Sequence, residues 1–199
     1  ILINIQKHTK KGENNVYIVT SSYEGSGKTF VSMNLAITLA IKNRKVLLID
    51  GDLRHASASK HFGCRKLGIA DYLGENEDDI NKLIECADNL TTLNTPLPTL
   101  DILPVGTVPP NPTELLASER FASLLEELRY QYDFIIIDCP PSESLADVGI
   151  IERLADRTLF VIRAGLFERN HVEDLDIEAR SGKYKHLSIV LNGTQNGAI

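Results

Sequence analysis

Hydrophobic residues in this chain gather into short unbroken runs, separated by longer stretches with a helical spacing. Val16-Tyr17-Ile18-Val19, Val46-Leu47-Leu48-Ile49, Phe134-Ile135-Ile136-Ile137, Thr158-Leu159-Phe160-Val161-Ile162 and Leu187-Ser188-Ile189-Val190-Leu191 are the clearest. Runs of this length without alternation predict strands covered on both faces, as in a parallel sheet. After the first run, Phe30, Met33, Ile37, Ala40 and Ile41 recur at three- and four-residue steps. That predicts a helix from about Thr29 to Asn43 with this stripe against the sheet, closed by Lys42-Asn43-Arg44. Asn111-Pro112-Thr113-Glu114 predicts another helix start, with Asn as cap, Pro first and Glu three residues beyond the cap. Phe121, Leu124, Leu125 and Leu128 carry its stripe to Tyr130. Weaker patterns predict a short helix over Glu77 to Cys86 and short strands over Leu90 to Leu93 and Leu100 to Leu103. Strands alternating with helices define an α/β chain: a doubly wound, mainly parallel sheet with helices on both faces. Such sheets bind ligands beyond the carboxyl ends of their strands, so the residues after each run are the candidates for chemistry.

The first run is followed by Ser21-Ser22-Tyr23-Glu24-Gly25-Ser26-Gly27-Lys28-Thr29. Strand, glycine-bearing loop and helix in this order make a P-loop, in which backbone N–H groups and a helix N-terminus converge on phosphate oxygens. Gly25 and Gly27 permit positive φ and keep Cβ atoms away from the phosphates. Lys28 is placed to bridge β- and γ-phosphate oxygens, and Thr29 to offer a hydroxyl to Mg²⁺. Ser22 stands where the strict pattern has its first glycine, which makes this a variant loop.

Two further runs end in acid: Asp50-Gly51-Asp52-Leu53-Arg54 after the second and Asp138-Cys139-Pro140-Pro141 after the third. Aligned strand ends would bring Asp50, Asp52 and Asp138 to the edge that faces the γ-phosphate. Mg²⁺ takes one or two carboxylates together with phosphate oxygens, and Asp138 is the natural Walker B ligand. Asp50 and Asp52 exceed what one ion needs, so one of them is a candidate for handling the acceptor. A tyrosine acceptor, with a pKa of about 10, is ionised in on the order of one molecule in a thousand at pH 7. A carboxylate is a weak base for it, so its work would be orientation. Arg54 is open to three roles: neutralising charge, reaching a neighbouring subunit, or pairing with Asp50 or Asp52.

At 199 residues the chain is the size of one domain and needs no disulfides or metals to build its core. A net charge of −6 argues against a nucleic-acid surface. Cys64, Cys86 and Cys139 are odd in number and show no C-x-x-C spacing, which points to a reducing compartment. The five histidines show no ligand spacing, so no transition metal is expected. No apolar run approaches the ~20 residues of a membrane span. Ile1 to Gln6 reads as the tail of an element that begins outside the chain, and Lys7 to Asn15 as a polar linker. Residues 1–199 are expected to form one P-loop domain excised from a longer, membrane-associated polypeptide.

With these residues placed, the chain resembles the bacterial tyrosine kinases, or BY-kinases, of capsule and exopolysaccharide export, from Val16 to Asn192. The loop Ser21 to Thr29, Leu47 to Arg54 (similar to the family's Walker A′), Ile135 to Pro141 (similar to its Walker B) and Leu103-Pro104-Val105-Gly106-Thr107-Val108-Pro109-Pro110-Asn111-Pro112-Thr113-Glu114-Leu115-Leu116 carry the likeness. The resemblance implies ATP- and Mg²⁺-dependent autophosphorylation on tyrosines of neighbouring copies in a ring. It also implies a transmembrane activator and work at the cytoplasmic face of the cell membrane. Ser22, Glu24, Gly25, Ser26, Gly27, Lys28, Thr29, Phe30 and Asn192 would then hold the nucleotide, with Asn192 at the adenine. Thr29, Asp50, Asp52 and Asp138 would form the metal shell, and Lys28, Asp50, Asp52 and Arg54 the catalytic set. No tyrosine follows Tyr184, His55-Ala56-Ser57 stands where some relatives carry a tyrosine, and the family's N-terminal E-x-x-R-x-x-R element is absent. Two alternatives remain: a partner-stimulated ATPase of the septum-positioning or partitioning type, whose signature lysine is replaced here by Tyr23, and a nucleotide-binding assembly module without kinase chemistry.

Overall fold

The apolar runs lie side by side in one sheet. The computed structural model describes residues 11–63, 67–87, 96–142, 146–167 and 170–194. Its strands are β1 (Val16–Thr20), β2 (Val46–Asp50), β3 (Glu85–Cys86), β4 (Leu100–Leu103), β5 (Phe134–Asp138), β6 (Arg157–Arg163) and β7 (Ser188–Asn192). They pair in the order β3-β4-β2-β5-β1-β6-β7, all parallel except for the antiparallel edge β3–β4. The connecting helices are α1 (Lys28–Ile41), α2 (Ser57–Phe62), α3 (Ile69–Leu73), α4 (Pro112–Leu116), α5 (Glu119–Arg129), α6 (Ala146–Leu154) and α7 (Asn170–Arg180).

Every residue of β1, β2 and β5 is buried, which is why these strands read as continuous apolar runs. Their side chains alternate between two cores. Val16, Ile18, Leu47, Ile49 and Ile137 join Phe121, Leu124, Leu128 and Ile151 on one face. Tyr17, Val19, Val46, Leu48 and Ile136 join Met33, Ala36 and Leu39 on the other. Each fully buried Leu, Ile or Phe contributes about 1.5–3 kcal/mol, so the sheet is a rigid platform for whatever stands at its edge.

Several expectations change. The buried face of α1 is Ser32, Met33, Leu35, Ala36, Leu39 and Ala40, while Phe30 and Ile41 are 65% and 62% exposed. Met33 and Ala40 of the expected stripe are buried and Ile37 packs against the core, so the stripe holds at these three positions and fails at its two ends. The helix expected from Asn111 to Tyr130 is two helices. Between them, the Ser118 hydroxyl donates to the Leu115 carbonyl (2.7 Å) and accepts from the Phe121 N–H (3.3 Å), which ends α4 and starts α5. Glu77 to Cys86 is not a helix but a 3₁₀ turn (Ile80–Lys82) followed by β3. The strand expected over 90–93 and the segment 1–10 lie outside the described residues.

The register aligns the carboxyl ends that matter. Asp50 is opposite Asp138, Asp138 opposite Val19, and Arg163 opposite Asn192. No helix among the described residues is long and apolar enough to cross a membrane.

Candidate active site

The loop from Ser21 to Gly27 leaves β1 and delivers its last glycine as the N-cap of α1. Gly25 and Gly27 have φ of 72° and 92°, the left-handed region that only glycine enters at low cost. At Gly27 an added Cβ would also lie 2.2 Å from Asn192 Nδ2, so both backbone and neighbour exclude a side chain. Internal hydrogen bonds shape the loop. The hydroxyls of Ser21 and Ser26 both donate to the Tyr23 carbonyl (2.8 and 2.9 Å). The Ser142 N–H, beyond β5, donates to the Ser21 carbonyl (2.7 Å).

A cavity of about 300 Å³ opens over this loop, lined by Glu24, Gly25, Gly27, Lys28, Thr29, Asp52, His55, Ser57, Asp138, Cys139 and Pro141. Lys28, the first residue of α1, has its pKa lowered by burial, opposed by the charges of Asp138 and Asp52. Asp138 is 1% exposed and accepts the Ser32 hydroxyl (2.9 Å). Burial pushes its carboxyl up to about 7, with the Asp50 charge adding to the effect and hydrogen bonds from Thr29 and Ser32 opposing it. Asp52 caps the turn that follows it, accepting the N–H groups of Arg54 (3.3 Å) and His55 (3.1 Å) on Oδ1, and it pairs with His55 Nδ1 (3.0 Å).

Lys28, Thr29, Asp52, Asp138, Glu24, Gly25 and Gly27 are thus brought together. Four other expected site residues are turned elsewhere. Asp50 is fully buried, and its Oδ2 accepts both the N–H (2.8 Å) and the hydroxyl (2.7 Å) of Ser59, behind the cavity wall. Its carboxyl is pushed up to about 6, chiefly by burial. Arg54 pairs with neither Asp50 nor Asp52. Its Nε donates to Asp147 on α6 (3.3 Å) and its Nη2 to Thr113 on α4 (2.9 Å). Phe30 lies on the exposed side of α1, and Ser22 faces a second, polar cavity beneath α7. Asn192 reaches the loop itself, donating from Nδ2 to the Ser26 carbonyl (3.0 Å).

Sequence reasoning missed Arg163, whose Nη1 donates to the Gly25 carbonyl (2.7 Å). The signal was present, since Arg163 directly follows the apolar run of β6. It also missed Ser32, hidden as a small polar residue on a helix face, and His55, one residue beyond the Asp50 to Arg54 motif.

A family model described as an AAA domain matches residues 15–177. Tyrosine-protein kinase CpsD of Streptococcus agalactiae serotype III is 38% identical over 195 residues, covering 96% of this chain and 79% of that protein. Tyrosine-protein kinase etk of Escherichia coli K12 is 37% identical over 155 residues, covering 77% of this chain and 20% of that protein. The solved kinase domain of Escherichia coli tyrosine kinase ETK superposes with a TM-score of 0.82 at 32% identity, covering 96% of this chain and 71% of that one. The septum site-determining protein MinD of Pyrococcus horikoshii, solved with Mg-ADP, superposes at 0.69 with 24% identity, covering 89% of this chain and 69% of that one; the likeness is one of fold. With 38% identity over nearly the whole chain and a superposition at a TM-score of 0.82, the chain belongs to the bacterial tyrosine-protein kinase family.

Proposed function

We propose that the cavity binds Mg-ATP and transfers the γ-phosphoryl group to the hydroxyl of a tyrosine. The observation that carries this reading is the convergence of Lys28, Thr29, Asp52 and Asp138, from three separate segments, on one cavity. The donor set suits magnesium, since Thr29 and Asp138 offer hard oxygen ligands, and the backbone at Gly25, where a Cβ would meet nothing within 4 Å, is open to phosphates. When bound, the ion would draw charge from the phosphate oxygens.

The remaining roles fall to the chain itself. The loop N–H groups and the N-terminus of α1 hold the phosphates, and Lys28 neutralises the β–γ bridge as it breaks. Ser32 fixes the Asp138 carboxylate. Asp52 lines the cavity beside His55 and Ser57, where it orients the incoming phenol. The new bond joins the phenol oxygen to the γ-phosphorus as the bond to ADP breaks, and the phenol proton passes late to solvent water. Asp50 supports this arrangement by holding Ser59, and Arg54 by holding the loop to α4 and α6.

Residues 1–199 act as one catalytic domain of a longer polypeptide at the cytoplasmic face of the membrane. Its partners are a transmembrane activator of polysaccharide export and neighbouring copies of itself. The chain spans 24% of its Klebsiella pneumoniae relative and 20% of the Escherichia coli one, which supports a longer polypeptide, against 79% of the Streptococcus agalactiae one. Among the described tyrosines, Tyr17, Tyr132 and Tyr184 are buried, whereas Tyr130 is 68% exposed. Incubating the full-length polypeptide with Mg-ATP and mapping phosphotyrosine by mass spectrometry tests the reading. Phosphotyrosine should form and be lost in Lys28→Met. Equal labelling of the variant, or ATP hydrolysis without phosphotyrosine, would refute it.

A further inference from the structure

A loop that turns its N–H groups inward onto an anion must send its carbonyl oxygens outward. Here two of those oxygens are held from the carboxyl ends of β6, the neighbour of β1, and of β7. Arg163 Nη1 donates to the Gly25 carbonyl at 2.7 Å, and Asn192 Nδ2 to the Ser26 carbonyl at 3.0 Å. The two side chains belong to register partners at the carboxyl ends of β6 and β7, locked together by the Ala164 N–H donating to the Asn192 carbonyl (2.9 Å). A third tie comes from α7, where the Tyr23 hydroxyl and His171 Nδ1 lie 2.6 Å apart.

We propose that Arg163 is a positioning residue for nucleotide binding, acting through the loop backbone without touching the nucleotide. The Gly25 carbonyl shares its peptide unit with the Ser26 N–H, and the Ser26 carbonyl shares the next with the Gly27 N–H. A hydrogen bond at each oxygen polarises the N–H on the other side of the same peptide, and a cationic donor does so most strongly. Arg163 and Asn192 therefore fix two successive peptide planes and make both of their N–H groups better phosphate donors. Gly193, with φ of 69°, leaves room for the stem of Arg163; a Cβ there would crowd Arg163 Cγ at 3.3 Å. The inference rests on the nucleotide reading of the cavity but not on tyrosine as the acceptor.

The test is titration of a fluorescent ADP analogue into the full-length protein, together with steady-state kinetics in ATP. Arg163→Met should weaken binding and raise KM for ATP by about tenfold, the scale of one charge-assisted hydrogen bond, with kcat at saturating ATP within about twofold. Because Arg163 is exposed, the nucleotide-free melting temperature should stay within about 2 °C. Arg163→Lys keeps the charge but loses the fork geometry, and it should recover only part of the loss. Gly193→Ala, which leaves Arg163 chemically intact but displaces it, should weaken binding in the same direction. Unchanged binding in Arg163→Met, a fall in kcat at constant KM, or full recovery by lysine would overturn the proposal. Wild-type protein that binds nucleotide without forming phosphotyrosine would sink the kinase reading and leave this one standing.

Discussion

Asp50 and Asp138 face one another across β2 and β5, and burial makes both reluctant anions. In the unfolded chain such carboxyls titrate near 4; in the folded protein they titrate at about 6 and about 7. Between those limits the folded state keeps protons that the unfolded state has released, so these groups make stability fall as pH rises through the window and level off above it. The nucleotide-free protein should melt higher at about pH 5.5 than at about pH 8, and Asp138→Asn should flatten the difference. A wild-type melting temperature that does not fall with pH, or an unaltered slope in the variant, would contradict this. At this scale the loop, Asp52 and Asp138 were legible because each directly follows a strand that reads plainly. The partner of Arg54 was not, since Asp147 and Thr113 are distant in sequence and only packing brings them together. Nor was the inward turn of Asp50, which depends on Ser59 standing where α2 begins.

Strands were legible because burial on both faces leaves no room for polar residues in β1, β2 and β5. Helices were harder. The spacing of Ile80, Leu83 and Ile84 mimics a helix, yet the chain spends Ile80 and Leu83 in a tight turn and adds Glu85–Cys86 as an antiparallel edge to β4. Pairing with a distant strand outweighed local pattern there. The α4–α5 junction depends on one hydroxyl. Ser118→Ala removes the cap of α5 and should cost about 1 kcal/mol, read as a lower urea midpoint, while KM for ATP stays at the wild-type value. A drop in nucleotide affinity instead would mean that the junction is coupled to the cavity.

The whole molecule divides its labour between the two ends of the sheet. Beyond the amino ends of the strands lies a buried polar knot. Asn15 donates to the carbonyls of Arg129 (2.9 Å) and Tyr132 (3.0 Å), and Arg129 donates to Asp156 (2.5 Å) and to the Leu154 carbonyl (2.8 Å). Asp156 also accepts the Val16 N–H (2.9 Å), so one carboxylate ties the first strand to the helical layer. Arg129→Ala strands that charge and should destabilise the protein by about 3–5 kcal/mol, seen in thermal unfolding. Nucleotide affinity of the folded fraction should not change, because the knot is at the opposite end from the cavity. The glycine loop, by contrast, is made early in the chain but leans on Arg163 and Asn192, which come late. A ribosome that has already released the glycine loop has not yet made the side chains that brace it, so the loop reaches its braced form only once the last strand has joined the sheet.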